Sequence, residues 1–378
     1  MKVLHFYKTY LPDTIGGVEQ VINQLIRKTG ELGVEHEVLA LTPGKNEETV
    51  TVDGHLVHRC RTHFEIASTP FSLSAFSKFN RLAKKADIIH YHFPYPFSDV
   101  LHLATRVNKP TVISYHSDII KQKYLLKLYR PLMYRFLSSV DHIVVASPNY
   151  LKGSDVLSHF KDKTSVIPYG LERNYNSNSS SELLEFWRKK IGPKFFLFIG
   201  VLRYYKGLHT LIEAARNAEY PIVIVGKGPV EKELKAQAAK LGVSNIHFVG
   251  FLTDENKVAL LELCYAVVFP SHLRSEAFGI ALLEGAMYGK PMICCEIGTG
   301  TTFINVDKET GIVVPPGEPA ALRQAMDYLW SHPEAARVMG KRAEERYWSL
   351  FTTEKMARSY VDLYKKLIER SATCRTNS

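Results

Sequence analysis

The chain has 378 residues, of which 46% are hydrophobic and 23% are charged, a composition that excludes disordered, collagen-like and small disulfide-rich proteins. At ordinary domain sizes of roughly 100 to 200 residues, this length predicts two globular domains. The 48 Lys and Arg residues exceed the 38 Asp and Glu residues and give a net charge of +10. Such a charge favours nucleic acid, an anionic membrane or a phosphorylated small molecule as partner, and solubility alone would account for it equally well.

The sequence shows no disulfide framework, export signal or membrane span. Its five cysteines are odd in number and lack the C-x-x-C spacing of a zinc site. Lys8 and Pro12 interrupt the apolar N-terminus, so no signal peptide is predicted. No uncharged run reaches the roughly 18 to 20 apolar residues that a spanning helix needs. We therefore expect a protein of a reducing compartment that is soluble or attached to a membrane surface.

Short β-branched runs alternate with amphipathic stretches along the chain, the pattern of parallel sheets covered by helices on both faces. A first strand over 2–6 precedes a helix whose apolar residues recur at helical spacing from Val18 to Leu32. Further strands are predicted over 36–41, 87–91, 111–115, 142–146, 164–167, 195–200, 221–226, 246–250, 266–270 and 291–295. An amphipathic helix over about 353–369 closes the chain.

The alternation is interrupted once, by the polar low-complexity segment NYNSNSSS at 174–181, which is predicted to be a linker. The predicted fold class is therefore α/β, with Rossmann-like doubly wound parallel-sheet domains over 1–173 and 182–352. The C-terminal helix, taken as 353–370, is expected to pack back on the first domain. A ligand shared by two such domains is expected in a cleft at the carboxyl ends of their strands.

Gly16 and Gly17 follow the first predicted strand. Missing Cβ atoms there would let backbone N–H groups approach an anionic ligand at a helix N-terminus. The alternative, an ordinary turn, is stronger for this pair alone, because no G-x-G-x-x-G sequence accompanies it. The same dinucleotide motif fails after Gly226, where Glu231 takes the third glycine position.

Arg203 and Lys206 lie in the loop that follows Gly200, the predicted end of a strand. Two cations at the carboxyl end of a strand could neutralise a diphosphate leaving group, since Arg offers a planar fork and Lys a point charge. The alternative is a solvated pair of loop residues.

Glu276 and Glu284 stand eight residues apart around an apolar run. On one helix they would be separated by about 12 Å along the axis. That distance suits the two ends of an extended ligand and exceeds the roughly 5 to 9.5 Å of a glycoside hydrolase pair. The alternative is a helix-capping Glu276 and a buried, paired Glu284.

His116 also follows a predicted strand, so it is a candidate for acid/base work or for hydrogen bonding to substrate; a structural role is equally expected. The sequence contains neither H-E-x-x-H nor an Asp-x-Asp pair. No tightly held metal and no resident cofactor are therefore predicted.

Taken together, these residues resemble the group 1 family of retaining glycosyltransferases, which have the GT-B architecture. The resemblance runs nearly end to end and includes VIPYGL at 166–171, the lysine–glycine segment before the helix at 208, IVGKGP at 224–229 and the E-x7-E arrangement that begins with EAFG at 276–279.

The resemblance implies roles for the candidate residues. Glu276 would hydrogen-bond the hydroxyls of the donor sugar and Glu284 the ribose, while Arg203 and Lys206 would stabilise the departing diphosphate. His116 would contact the donor sugar. The remaining donor-binding positions would be the backbone at a helix N-terminus and the glycines that leave room for phosphate: Gly16, Gly17, Gly200, Ala277, Phe278 and Gly279.

The resemblance also implies the reaction type. Transfer would retain the anomeric configuration by front-face displacement through an oxocarbenium-like state, without a metal. One position departs from the family pattern, since Val201 stands where an arginine commonly follows the strand-ending glycine. Either Arg203 supplies that charge, or Lys206 and helix dipoles carry the diphosphate alone.

GVLRYYKGL at 200–208 and EIGTGTTFIN at 296–305 resemble bacterial O-antigen and capsule mannosyltransferases. They favour GDP-mannose as donor and a lipid-linked oligosaccharide as acceptor. A UDP-sugar donor for glucosyl or N-acetylglucosaminyl transfer, and a GT-B sugar-nucleotide epimerase, remain alternatives. A nucleic-acid partner is not expected, because the positive charge is spread over both halves of the chain.

Residues 119–137 form a basic amphipathic stretch that contains Lys121, Lys123, Lys127, Arg130 and Arg135 but no acidic residue. It suits peripheral docking on the inner, anionic face of the cytoplasmic membrane. An ordinary helix with its charges in solvent is the slightly stronger alternative. Pro131 predicts a kink or an interruption.

Overall fold

A computed structural model describes residues 1–14, 16–44, 47–67, 69–119, 123–172 and 179–376. The chain divides into two compact units. The N-terminal unit comprises Met1–Gly170 and Thr353–Ser378, and the C-terminal unit comprises Leu171–Thr352. Most of the predicted linker lies outside the described residues; its last residue, Ser181, begins a helix that the Ser180 side chain caps by accepting a hydrogen bond from the Leu183 N–H.

The N-terminal unit contains an eight-stranded sheet of order β10-β9-β8-β7-β1-β2-β4-β3. All neighbouring strands are parallel except β3 and β4, and β5 pairs with β6 as a separate antiparallel hairpin. The strands are β1 (Lys2–Phe6), β2 (Glu35–Thr42), β3 (Glu48–Val52), β4 (His55–Arg61), β5 (Phe64–Ile66), β6 (Thr69–Phe71), β7 (Ile88–Phe93), β8 (Thr111–Tyr115), β9 (His142–Val145) and β10 (Thr164–Val166).

Helices follow most of these strands. They are α1 (Gly17–Gly30), α2 (Ser74–Lys85), α3 (Pro96–Thr105), α4 (Lys123–Ser139) and α5 (Pro148–Gly153), with a 3-10 helix over Leu157–Lys163. The first helix ends two residues before Leu32, which is exposed. The α4 helix runs through Pro131 without interruption.

The C-terminal unit contains a six-stranded parallel sheet of order β13-β12-β11-β14-β15-β16. Its strands are β11 (Phe196–Ile199), β12 (Ile222–Val225), β13 (Ile246–Gly250), β14 (Ala266–Phe269), β15 (Met292–Cys295) and β16 (Gly311–Val314). Its helices are α6 (Ser181–Ile191), α7 (Leu208–Ala214), α8 (Glu231–Lys240), α9 (Asp254–Leu263), α10 (Ile280–Met287), α11 (Thr301–Ile304), α12 (Pro319–Ser331) and α13 (Pro333–Leu350).

The last helix, α14 (Thr353–Thr376), packs on the sheet of the N-terminal unit. Two of its tyrosines are buried and hydrogen-bonded to strand residues. The hydroxyl oxygen of Tyr364 lies 2.7 Å from His90 Nδ1, and that of Tyr360 lies 2.8 Å from the hydroxyl oxygen of Ser114. The helix therefore joins the two strands β7 and β8 by polar contacts as well as by apolar packing.

Sequence patterns missed five strands, β3 to β6 and β16. The β3–β4 hairpin turns at Asp53 and Gly54, both with positive φ, which is the Asp-Gly signal of a tight hairpin. No helix in the described ranges has both the length and the apolar composition needed to cross a bilayer.

Five buried histidines lie on β1, β2 and β7 or directly after β8 in the N-terminal sheet. Burial lowers the pKa of His36 and His116 from the ordinary histidine value to about 3. Burial, with repulsion from neighbouring imidazoles, also lowers the pKa of His5, His90 and His92 well below 6.5. These side chains are therefore neutral in the folded protein at neutral pH.

We expect the free energy of unfolding to fall as the pH falls from 6.5 towards 3. The unfolded chain binds protons in this window that the folded chain does not bind, so stability is fully present only above pH 6.5. Each buried imidazole should contribute a slope of about 1.4 kcal/mol per pH unit. Urea unfolding followed at several pH values measures this slope.

In the variant His36→Gln, the slope of the free energy of unfolding against pH should decrease by the contribution of about one proton. The matched variant His159→Gln, at an exposed position of the same unit, should keep the wild-type slope. An unchanged slope in His36→Gln would contradict the assignment.

Candidate active site

The strand order of the C-terminal sheet reverses between β11 and β14. The chain adds β12 and β13 on one side of β11, then returns to add β14, β15 and β16 on the other. At such a reversal, the loops after the two central strands diverge to opposite faces and leave a crevice where ligands bind. The residues that follow β11 and β14 are therefore the first candidates for a site.

A buried ion pair lies at this reversal. Lys206 ends the 3-10 turn after β11, Glu276 lies in the loop after β14, and the ammonium donates a short hydrogen bond to Glu276 Oε2. Their side chains are only 12% and 11% exposed. The Lys206 Nζ also lies 4.6 Å from the ring centroid of Phe269, and the hydroxyl of Ser271 donates to Glu276 at 3.4 Å.

A glycine lets the two loops approach each other. Gly207 has a φ of +69°, and a Cβ atom there would lie 1.9 Å from the carbonyl oxygen of Pro270, which directly follows β14. No other residue could occupy this position without moving the backbone. The N–H of His272 then donates to the carbonyl of Tyr205 at 3.0 Å, so Lys206 is held close to the loop that carries Glu276.

Gly200 and Arg203 differ in their relation to this pair. A Cβ atom at Gly200 would lie 3.7 Å from the Lys206 ammonium, so this glycine borders the site. The Arg203 side chain is exposed and makes no hydrogen bond or ion pair with a described residue. It lines a small cavity of about 110 Å³ with Tyr204 and Glu233.

Glu276 and Glu284 do not share a helix, so the condition under which they would be separated by about 12 Å along one helix axis is not met. The α10 helix begins at Ile280, after Gly279, whose φ is +100°. A left-handed residue at the helix start prevents the helix from extending back to Glu276. Glu276 is therefore a loop residue, and only Glu284 is helical.

Glu284 binds a lysine that the sequence did not single out. The Lys257 ammonium on α9 lies 3.1 Å from Glu284 Oε1, and the Glu284 side chain is 14% exposed. Burial by itself lowers the pKa of Lys257, but the carboxylates of Glu284 and Asp254 outweigh burial and raise it. The α9 and α10 helices thus hold a second, largely buried carboxylate–ammonium pair.

The segment between Glu276 and α10 packs against the loop that follows β15. The Ala277 carbonyl accepts a hydrogen bond from the N–H of Gly300 at 2.9 Å. Phe278 is buried with its ring 6.3 Å from that of Phe351, and a Cβ atom at Gly300 would lie 2.6 Å from the Phe278 ring. The backbone around Gly279 is thereby fixed at the N-terminus of α10.

In the N-terminal unit, His116 follows β8 and is buried. Its Nε2 lies 3.1 Å from His92 Nδ1, and its Nδ1 lies 2.5 Å from the hydroxyl of Tyr169. Both ring nitrogens therefore have partners within the protein. Tyr169 belongs to the VIPYGL segment of the sequence, but neither it nor His92 was a candidate.

Gly16 and Gly17 stand at the start of α1, with Gly16 as its N-terminal cap residue. A Cβ atom at Gly16 would lie 2.4 Å from Glu19 Oε2. Glu19 is a buried carboxylate that accepts hydrogen bonds from the hydroxyls of Thr9 at 2.8 Å and Thr14 at 3.1 Å. No motif in the sequence singled out Glu19.

One group of imidazoles in the described residues has the spacing of a metal site. One ring nitrogen each of His5, His90 and His92 lies within 4.8 Å of the others. All six ring nitrogens of these residues already have a hydrogen-bond partner within the protein. A metal would have to replace such bonds, so the donor set does not fit a resident ion as it stands.

Two family descriptions match complementary parts of the chain. "Glycosyl transferases group 1" matches residues 180–346, and "Glycosyltransferase Family 4" matches residues 15–174. Both halves are therefore similar to glycosyltransferases, as the motifs predicted.

Two relatives that match nearly the whole chain are named as glycosyltransferases. The D-rhamnosyltransferase WbpZ of Pseudomonas aeruginosa is 60% identical over 93% of this chain and 92% of its own. The O-antigen chain mannosyltransferase C of Escherichia coli is 51% identical over 98% of this chain and 99% of its own.

Solved structures agree in fold. Sucrose-phosphate synthase from Thermosynechococcus elongatus has a TM-score of 0.77 at 20% identity, covering 98% of this chain and 99% of its own. Anabaena HepE in complex with UDP also has a TM-score of 0.77, at 17% identity over 97% of this chain and 100% of its own. The predicted fold class of two Rossmann-like domains is confirmed. The chain has the GT-B fold and belongs to the group 1 glycosyltransferases.

Proposed function

We propose that the protein transfers mannose from GDP-mannose, with retention of the anomeric configuration, to a lipid-linked oligosaccharide during bacterial surface-polysaccharide synthesis. The observation that carries the chemistry is the buried Lys206–Glu276 pair at the reversal of the C-terminal sheet. The mannosyl donor and the O-antigen setting are supported by the relative of 51% identity, which is named an O-antigen chain mannosyltransferase.

In this proposal Lys206 stabilises the leaving group. Negative charge grows on the diphosphate as its bond to the sugar breaks, and a fixed ammonium in a partly desolvated place stabilises that charge. Glu276 holds the ammonium in position before the donor arrives. Because Lys206 supplies the positive charge, the reaction needs no bound metal. Arg203, exposed and without a partner among the described residues, would give a second cation only after moving.

Glu276 acts as a hydrogen-bond acceptor for sugar hydroxyls. Its carboxylate is already ion-paired with Lys206 and accepts from Ser271, which makes it a weak nucleophile. This supports a front-face displacement through an oxocarbenium-like state over a covalent intermediate on Glu276. Glu284, held by Lys257, accepts hydrogen bonds from the ribose. The α10 N-terminus offers backbone N–H groups to phosphate.

In the N-terminal unit, His116 contacts the donor sugar, and Gly16 and Gly17 leave room for phosphate and acceptor. Both ring nitrogens of His116 are hydrogen-bonded in the structure, so a sugar hydroxyl would have to share or replace one of these bonds.

A second donor sugar has a specific observation in its favour. The relative of 60% identity is named a D-rhamnosyltransferase, and D-rhamnose is mannose without the hydroxyl group at C6. A site that hydrogen-bonds this hydroxyl would reject the deoxy sugar by about 10⁴-fold or more, whereas a site without such a contact would separate the two sugars only by about 10²-fold or less.

The proposed acceptor is presented at an anionic membrane, and the first half of α4 supports this. Leu125 and Leu128 are 47% and 81% exposed, beside the exposed Lys127 and Arg130. An ordinary surface helix would turn its leucines inward. Leucines and cations exposed together are typical of a helix that lies in the interface of an anionic bilayer.

The exposed leucines continue into a larger apolar surface. A cavity of about 300 Å³ lies between the first turns of α4 and the β5–β6 hairpin, lined by Phe71, Pro96 and Leu125. Ile66 at its margin is 55% exposed. Lys121 lies outside the described residues, so the argument depends on Lys127 and Arg130. We propose that this surface places the protein on the inner face of the cytoplasmic membrane.

The donor assignment is tested by calorimetric titration of the purified protein with GDP-mannose, GDP-D-rhamnose, UDP-glucose and UDP-N-acetylglucosamine. We expect GDP-mannose to bind without added metal and Mg²⁺ to change its affinity little. Preferential binding of GDP-D-rhamnose would favour the second donor, and binding of only a uridine nucleotide would overturn the guanosine assignment. Silence towards all four would contradict the proposal. An epimerised sugar nucleotide formed without acceptor would indicate an epimerase instead.

We expect Lys206→Ala to lower turnover by about 10²-fold or more, the size of a lost electrostatic contact to developing charge. Steady-state transfer kinetics measure this. Lys235→Ala is the matched control, because it removes a lysine from an exposed ion pair with Glu231 in the same unit. Turnover near the wild-type value in Lys206→Ala would refute the role.

The variant Glu276→Gln tests whether the diphosphate of the donor binds at Lys206. It leaves Lys206 buried without a counter-charge, which lowers the melting temperature of the free protein. GDP should then raise that temperature more than in the wild type, because its diphosphate supplies the missing anion. An equal or smaller increase would show that the diphosphate does not bind at Lys206.

For the membrane surface, we expect the double variant Lys127→Gln, Arg130→Gln to bind anionic vesicles about 30-fold more weakly, since each basic residue contributes about 1 kcal/mol. Transfer to a soluble acceptor should be unchanged. Vesicle co-sedimentation measures the binding. The control removes Lys84 and Lys85, which are exposed in the last turn of α2. Equal loss in both double variants would indicate that net charge alone matters.

A further inference from the structure

Four imidazoles form one continuous hydrogen-bonded chain across the N-terminal sheet. His36 Nδ1 on β2 lies 3.0 Å from His5 Nε2 on β1, and His5 Nδ1 lies 3.1 Å from His92 Nε2 on β7. His92 Nδ1 lies 3.1 Å from Nε2 of His116, which follows β8. Every link therefore joins an Nδ1 atom to an Nε2 atom of a residue that lies on the adjacent strand or directly follows it, and all four residues are buried.

Each end of this imidazole chain meets a hydroxyl group. At one end, the Thr29 hydroxyl oxygen on α1 lies 2.7 Å from His36 Nε2. At the other end, the Tyr169 hydroxyl oxygen lies 2.5 Å from His116 Nδ1. A neutral imidazole carries one N–H and one bare nitrogen, so the direction of the first link determines the direction of all the others.

The Thr29 end sets that direction. The Thr29 hydroxyl oxygen lies 2.6 Å from the carbonyl oxygen of Leu25, one turn earlier in α1. A carbonyl can only accept, so the single hydroxyl proton of Thr29 belongs to this bond. Thr29 must then accept from His36, whose Nε2 carries the proton. Its Nδ1 is bare and accepts from His5, and the same alternation passes through His92 to His116.

We infer that Thr29 and the imidazoles of His36, His5 and His92 hold His116 in the tautomer with the proton on Nε2. They are positioning residues for His116, and their role in transfer rests on the proposed function. Nε2 is committed to His92, so the nitrogen that remains for substrate is the bare Nδ1. A sugar hydroxyl bound by this ring donates to Nδ1, in place of the Tyr169 hydroxyl or beside it.

The tautomer is measured directly by nitrogen NMR of the full-length protein labelled with ¹⁵N-histidine, without any substrate. We expect the shifts of a protonated Nε2 and an unprotonated Nδ1 at all four rings. A protonated Nδ1 at His116, or a doubly protonated ring at neutral pH, would overturn the inference.

Two variants test whether the imidazole chain causes the single tautomer of His116. Thr29→Val keeps the side-chain shape but removes the acceptor for His36, so the two directions become similar in free energy and His116 should show both tautomers. Thr29→Ser restores the hydroxyl and should restore the single tautomer. Unchanged His116 shifts in Thr29→Val would overturn the coupling.

Replacing an imidazole in the middle of the imidazole chain gives a second test. His92→Phe should also mix the tautomers of His116. The matched control is His90→Phe, on the same strand, since the His90 ring lies 4.4 Å from that of His92 but bonds to Ser114 and Tyr364 instead of joining the chain. Equal changes at His116 in both variants would show that any disturbance of the sheet has this effect, and would overturn the inference.

Kinetics connect the tautomer to transfer. We expect kcat/KM to fall about 2-fold in Thr29→Val, because only about half of the molecules then hold the tautomer that accepts from substrate, and to recover in Thr29→Ser. Mixed tautomers of His116 in Thr29→Val combined with unchanged kinetics would overturn the positioning role. If the protein shows the expected tautomers but binds no sugar nucleotide, the proposed function is refuted, while the control of the His116 tautomer by the imidazole chain is supported.

Discussion

The structure of the C-terminal unit depends on burying a cation beside a carboxylate at the point where its strand order reverses. Lys206 and Glu276 are each about nine-tenths covered, and removing two charges from water is costly unless each closely matches its partner. Gly207 allows the two loops to meet closely enough for that match. The second pair, Glu284 with Lys257, repeats the arrangement between α9 and α10.

The N-terminal unit uses a different device, because its buried polar groups are neutral. Imidazoles without charge avoid the desolvation cost of ions, but each must find both a donor and an acceptor in the protein interior. The sheet meets this demand by placing histidines on adjacent strands, and helices α1 and α14 complete it with hydroxyl groups. The result is a continuous row of hydrogen-bonded rings with fixed orientations, which extends from α1 to the loop after β8.

Most of the sheet architecture was predictable from sequence, because parallel strands covered on both faces appear as short β-branched runs. The β3–β4 hairpin was missed because its residues are largely polar and only its Asp-Gly turn marks it. Lys206 and Glu276 were found from their positions after strands. Their mutual contact, and the partnership of Lys257 with Glu284, join residues distant in sequence, which no spacing reveals. His5 and His92 were overlooked for the same reason, since each lies on its own strand without a local motif.

The placement of α14 has a consequence for how the protein is made. The strands of the N-terminal unit precede the C-terminal unit along the chain, yet Tyr360 and Tyr364, which bond to Ser114 and His90, follow that unit. During synthesis the first sheet therefore lacks α14 until the whole C-terminal unit has been translated. Its polar groups and one apolar face stay uncovered during that time. A nascent chain that stalls before α14 would expose that face and become a substrate for chaperones and proteases.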